Sequence, residues 1–454
     1  MKFFYTGVVL VVGSLLCGML CSCQNDASMA VPLEEIERTP RCIEWLNDKA
    51  DISGYQSEDS LYYVYDDVAG ASYVRRIELK SGKDEYACQD PYCMHKDKKC
   101  PFWIAPRTYK VLAIPVEKNL VLLNFGGSGY PELRKEERQA WVDMVGKDGT
   151  NRKRLATFEY GYTVAALPQG GLARDSHYVY FVLDQHPESG FLRTLYRVDT
   201  LEEKVEAVCD LTGEEEKIVG GWNDQLVLTY APGSYSEALV EELKTHVVRI
   251  NPESGNTVPV LTHDYLDTGA CWDNKYILLT RENQICTYDL EDGILLQEKT
   301  VDLPCLENSR WQFNGMVDGK MMISQCGLDE VWYIYGVDPK TGETQLIQHQ
   351  YEYKDEYEDS IWGGTASLRP CTVLAQAEDQ YLICTGETQE EPQSAHKGIL
   401  GFIKPEVTSK KEYSLISKEE FWNGSGSGKP IVFAQDIALE DRKDRMNIPS
   451  FLIH

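Results

Sequence analysis

The stretch Asp273-Asn274-Lys275-Tyr276-Ile277-Leu278-Leu279 decides the fold. A turn containing Asp and Asn is followed by a β-rich apolar strand. The phrase recurs as Glu58–Tyr65, Glu117–Leu123, Asp175–Phe181, Asn223–Leu228, Asp318–Ile323 and Glu378–Ile383. Its strands begin at Leu61, Leu120, Tyr178, Leu226, Tyr276, Met321 and Tyr381, at intervals of 45 to 60 residues. Repeats of that period indicate stacked supersecondary units rather than one continuous sheet.

Each phrase leads to a second strand and a glycine turn: Val74–Leu79 to Ser81-Gly82, Trp141–Val145 to Asp148-Gly149, Val247–Ile250 to Ser254-Gly255, and Ile285–Asp289 to Asp292-Gly293. Glycine there supplies the positive φ of a tight turn. A third strand follows each turn, and an apolar strand such as Lys110–Ile114 or Thr163–Leu167 precedes most phrases. Four strands per unit, seven units and no amphipathic helix predict an all-β, seven-bladed β-propeller over residues 51–454, with six or eight blades as the alternatives. The first phrase lacks an apolar strand upstream, while Pro430–Ala434 is left over at the far end. A ring removes its free edges only by joining its ends, so the carboxy-terminal strand is expected to complete the first blade.

The amino terminus reads as an address. Lys2 precedes an apolar run from Phe3 to Leu20, the form of an export signal. Leu20-Cys21-Ser22-Cys23 resembles the lipobox of bacterial lipoproteins, which makes residues 1–22 the signal peptide and Cys23 the lipidated residue. An uncleaved transmembrane helix is the alternative, since the run approaches the length that spans a bilayer. Diacylglycerol plus a further fatty acyl chain such as palmitate supplies the two chains that stable anchoring needs. Residues 23–50 are then a lipidated tether ending in a short helix over Arg41–Ala50, and the chain is expected on the extracytoplasmic face of the cell membrane.

The net charge of −27 excludes nucleic acid as a partner, because no basic stripe is present to displace phosphate counterions. In a four-stranded blade, strand 2–3 loops and inter-blade links leave one face, and the short turns leave the other. The long insertions Gly126–Arg138, Asp184–Leu192, Ala231–Thr245, Gly386–Lys397, Cys88–Thr108 and Gln350–Ser367 all belong to the first face. That makes it the expected ligand face. Tyr351, Tyr353 and Tyr357 in the last of these are candidate ligand-binding residues, offering rigid amphipathic contacts. The bland alternative is a solvated acidic loop.

Cys88, Cys93, His95 and Cys100 form the densest chemical cluster. Three sulfurs and an imidazole suit a structural zinc ion, although the spacing differs from common fingers. Disulfides are the competing reading in an exported protein. Of 14 cysteines, Cys17 and Cys21 leave with the signal and Cys23 is lipidated, so an odd number remains and cannot pair completely within one chain. Cys209, Cys271, Cys286, Cys326 and Cys384 fall in strand patterns and read as small core residues.

Cys88-Gln89-Asp90-Pro91-Tyr92-Cys93-Met94-His95, with Cys100-Pro101 and the lipobox, resembles a group of surface lipoproteins of anaerobic Gram-positive bacteria that carry propeller-type repeats. The resemblance implies the fold and the location and brings no activity with it. No G-x-S-x-G, H-E-x-x-H or P-loop is present. Three functions fit: a binding or scaffold protein for a glycan, peptide or protein; an extracytoplasmic propeller hydrolase or lyase; and an accessory protein of envelope assembly.

Overall fold

The computed structural model describes residues 43–46, 54–66, 72–95, 97–105, 111–126, 139–158, 171–185, 192–211, 214–231, 243–304, 311–326, 332–355, 367–390 and 408–433. All lie in the compact unit Pro40–His454. They form seven small sheets in a ring, a seven-bladed β-propeller. The four-stranded cores of the blades fall within residues 55–86, 111–158, 172–211, 214–264, 268–300, 312–346 and 373–430. Among the described residues the one helix is Lys418–Asn423, and no helix is long and apolar enough to cross a membrane.

Position within the blade sets each strand's composition. Val111–Val116 is buried along its whole length and Asn119–Asn124 nearly so, because neighbouring blades cover both faces. The outermost strand of the fifth blade, Leu295–Thr300, is almost wholly exposed. The hairpin phrases turn as their sequences demand. Asp273 and Asn274 both have positive φ, as do Asp318 and Gly319.

The second recurrent turn is more specific than a glycine after a polar residue. Asn251, Asp289 and Asp338 each accept, through Oδ1, the backbone N–H two residues on. Each backbone carbonyl also accepts from the glycine four residues on, Gly255, Gly293 or Gly342. These glycines rest against the outer strand of the preceding blade. A Cβ on Gly293 would stand 2.3 Å from the Val260 carbonyl oxygen, and one on Gly342 3.1 Å from that of Thr300.

The same contact closes the ring, with Gly82 of the first blade packed on Leu415 and Ile431. Leu61, Ile77 and Leu79 share one core with Tyr381, Leu382 and Ile383 of the seventh blade. Gln380 and Lys429 donate to the carbonyls of Leu79 and Ser81, both at 2.8 Å. The carboxy-terminal strand Val432–Phe433 does join the first blade. It pairs in parallel with Lys83–Asp84 at the outer edge, as a fifth strand. The inner strand is Tyr55–Ser57, short and partly polar because it borders the channel, and it therefore carries no apolar signature.

A second departure from expectation lies on the axis. Glu44–Leu46 is a strand and not a helix; it adds inside Leu172–Arg174 of the third blade, antiparallel to it. Its partners lie across the ring, where Trp45 stacks on Phe313 of the sixth blade with centroids 5.5 Å apart. Arg174 donates to the Glu44 carboxylate and to the carbonyls of Pro115 and Gln56, which joins three blades at one guanidinium. Tertiary pairing overrides the local helical pattern here. Because every inner strand runs from the long-loop face to the short-turn face, the antiparallel Glu44–Leu46 runs the opposite way. Glu44 thus lies toward the short-turn face and Leu46 toward the other.

Candidate metal centre and central channel

The outer strand of the first blade is interrupted. Lys83–Tyr86 pairs with Arg75–Glu78, and Trp103–Ile104 takes up the same ladder against Ser72–Tyr73. Val74 sits at the break, accepting from Ala87 N–H at 3.0 Å and donating to the Phe102 carbonyl at 3.2 Å. Residues 88–102 are therefore an insertion within a strand, with both ends pinned to one residue. The sequence reading of this stretch as a plain inter-blade link is corrected accordingly.

Two matched turns build the insertion. Asp90 Oδ1 accepts from Tyr92 N–H and its carbonyl from Cys93 N–H. Asp97 Oδ1 accepts from Lys99 N–H and its carbonyl from Cys100 N–H. Each Asp-x-x-Cys turn delivers one sulfur inward. Further backbone N–H groups point at sulfur, from Asp90 to Cys88 and from Phe102 to Cys100. His95 takes a left-handed conformation, φ 51°, and its ring stacks on Tyr86 at 4.2 Å, with Tyr86 in turn edge-on to Tyr73. Its Nδ1 lies 3.6 Å from Cys100 Sγ.

The ligand atoms of Cys88, Cys93, His95 and Cys100 all lie within 4.8 Å of one another. No disulfide joins the three cysteines. Cys88 and Cys100 are buried, and Cys93 and His95 half-buried. Burial raises the Cys88 thiol and pushes that of Cys100 up to about 12, and it holds the His95 imidazole below its usual range. A dication held among these sulfurs would stabilise thiolates.

The channel is the other candidate. A cavity of about 520 Å³ remains beside the axial strand. Its described walls include Ile43, Trp45, Tyr55, Trp272, Asn314 and Met316, and its charged residues are Glu44, Arg174 and Asp273. Two of those three are paired with each other. The inner strand of the fourth blade has glycine where the plug passes: a Cβ on Gly221 would stand 2.4 Å from Ile43 Cβ.

The remaining sequence candidates divide. Tyr351 is corrected from loop to core. It lies in the strand Gln350–Asp355, which pairs with Ser367–Pro370 and, in parallel, with Glu387–Gln389, and its side chain packs with Ile347 and Cys371. Tyr353 lies in the same strand, which sequence reasoning missed because the charged residues around it suggested a solvated loop. Tyr357 and Cys23 lie outside the described residues, as do most of the long insertions. His246 and His263 lie in strands and His177 in a turn. Cys209, Cys271, Cys286, Cys326 and Cys384 are all strand residues.

No family model matches the chain, and no curated protein matches it. Solved structures do. The propeller domain of the trilobed protease of Pyrococcus furiosus aligns with 9% identity and a TM-score of 0.45, covering 87% of this chain and 98% of that one. The acylaminoacyl peptidase of Pyrococcus horikoshii aligns with 9% identity and a TM-score of 0.45, over 88% of this chain and 54% of the peptidase. An uncharacterised protein of Listeria monocytogenes aligns with 10% identity and a TM-score of 0.40, over 75% and 89%. The chain spans about half of the peptidase, and at these identities the likeness is one of fold alone.

Proposed function

We propose that this propeller is a lipid-anchored, extracytoplasmic binding or scaffold protein that takes a glycan, peptide or protein ligand at its long-loop face. The axial strand carries this reading. The same strand fills part of the channel in which a propeller enzyme would assemble its reacting groups. Among the described residues of the channel wall the charged ones are Glu44, Arg174 and Asp273, and Arg174 is engaged by Glu44 and two carbonyls. The acidic surface favours neutral or cationic ligands.

The test uses the full-length chain beside Cys23→Ala. Fractionation of expressing cells should find the parent in the membrane and the variant released. A glycan array and an envelope pull-down should show both retaining the same ligand unaltered. A variant that stays with the membrane overturns the anchor, and turnover of the captured ligand overturns the binding reading.

A further inference from the structure

We propose that Cys88, Cys93, Cys100 and His95, the last through Nδ1, hold one zinc ion in a tetrahedral site that staples the interrupted strand of the first blade. This rests on the cluster alone and is independent of the binding reading above.

Geometry favours an ion over a disulfide. Zinc–sulfur bonds of about 2.3 Å and zinc–nitrogen bonds of about 2.0 Å give tetrahedral edges of roughly 3.8 Å between sulfurs and 3.5 Å between sulfur and nitrogen. The Cys100 Sγ to His95 Nδ1 separation of 3.6 Å matches the second figure. All the other pairs of ligand atoms fall within 4.8 Å, a distance that a small contraction closes. A disulfide would consume two sulfurs and leave the third beside an imidazole with no shared partner. The backbone supports the ion as well. Amides from Asp90 and Phe102 point at sulfurs that would carry charge, and Tyr86 fixes the plane of the His95 ring. Soft sulfur ligands with one imidazole select zinc over hard, oxygen-seeking cations. On binding, the ion displaces the thiol protons to solvent, and nothing is oxidised.

The staple has a mechanical target. The described residues of 88–102 have no ladder of their own, and the strand that resumes after them is the seat of the second blade. Gly149 of that blade would place a Cβ 3.0 Å from Pro101 and 3.4 Å from Phe102, and Arg152 donates to the carbonyls of Pro101 and Trp103. Zinc bonded to Cys88 at one side of the neck and Cys100 at the other fixes this seat.

The full-length chain, purified in detergent without chelator, should contain about one zinc per chain. Cys93→Ser and His95→Ala, both at half-buried positions, should lower that content about tenfold or more. Cys286→Ser, in a distant strand, should leave it unchanged. Cobalt exchanged into the parent should give the visible absorption of tetrahedral thiolate cobalt, and stripping the metal should speed proteolytic cleavage within 88–102 about tenfold or more in an otherwise folded chain. Metal-free protein whose peptide map shows two of the three cysteines disulfide-bonded overturns the proposal. So does a full zinc content in both cluster variants.

Discussion

At the scale of single residues, the turn glycines do two jobs, and one substitution separates this fold from an arbitrary hairpin repeat. Gly293 has φ 72° and lies against the Val260 backbone of the neighbouring blade. Gly293→Ala should cost about 2–4 kcal/mol, more than the left-handed backbone alone explains, and is measured as a lowered midpoint in urea unfolding. Asp267 gives a prediction of the opposite sign. Burial pushes its carboxyl up to about 6, although the Arg281 N–H bonded to it works the other way. The native state therefore holds this proton more tightly than the unfolded chain does. Its contribution is full below the unfolded value of about 3.8 and is lost as pH rises through about 6. Asp267→Asn should raise stability above pH 6 by about 1 kcal/mol once solvent screening is allowed for, read as a higher thermal midpoint, and leave it unchanged near pH 4. Glycine after a polar residue was legible in the sequence. Which carbonyl each glycine must clear was not, because that contact belongs to another repeat.

At the scale of elements, the strands that read correctly are those covered on both faces by neighbouring blades. Val111–Val116 and Asn119–Asn124 announce themselves as apolar runs. Tyr55–Ser57 and Glu44–Leu46 do not, since each is short and faces the channel; the first pairs with the next strand, and the second takes its strand character from Leu172–Arg174, far along the chain. Trp45→Ala tests the second of these. Removing the ring from Phe313 should destabilise the domain by about 1–2 kcal/mol and increase protease access near the axial strand, while the circular dichroism of the sheets stays intact. Unchanged thermal stability and an unchanged cleavage pattern would mean that the strand contributes nothing to the ring. The cysteine insertion was half legible. Its ligand set stands together in thirteen residues, but its place inside a strand depends on a ladder that local sequence does not display.

At the scale of the whole molecule, closure is distributed. The core shared by Leu61, Ile77, Tyr381 and Leu382 joins the first and last blades, and Val432–Phe433 adds a latch outside it. Deleting residues 432–454 should therefore lower the thermal midpoint by several degrees and leave a folded ring, because the shared core survives. Complete loss of structure would assign closure to the latch, and an unchanged midpoint would deny the latch any part. Blade number and ring architecture were readable from repetition alone. The joining of the ends was only partly readable, since an edge-on parallel strand of two residues leaves almost no pattern.

The axial strand also sets an order of events. Glu44 faces Arg174, and Lys83 waits for Val432, so the earliest residues to emerge find their neighbours among the middle and the last. Such distant pairings make the search for the native state slow. Until the final blade arrives, the growing ring is an open arc with unsatisfied edges and a vacant axis. Shielding of those edges until the last blade has been made is what this topology demands of the cell that makes it.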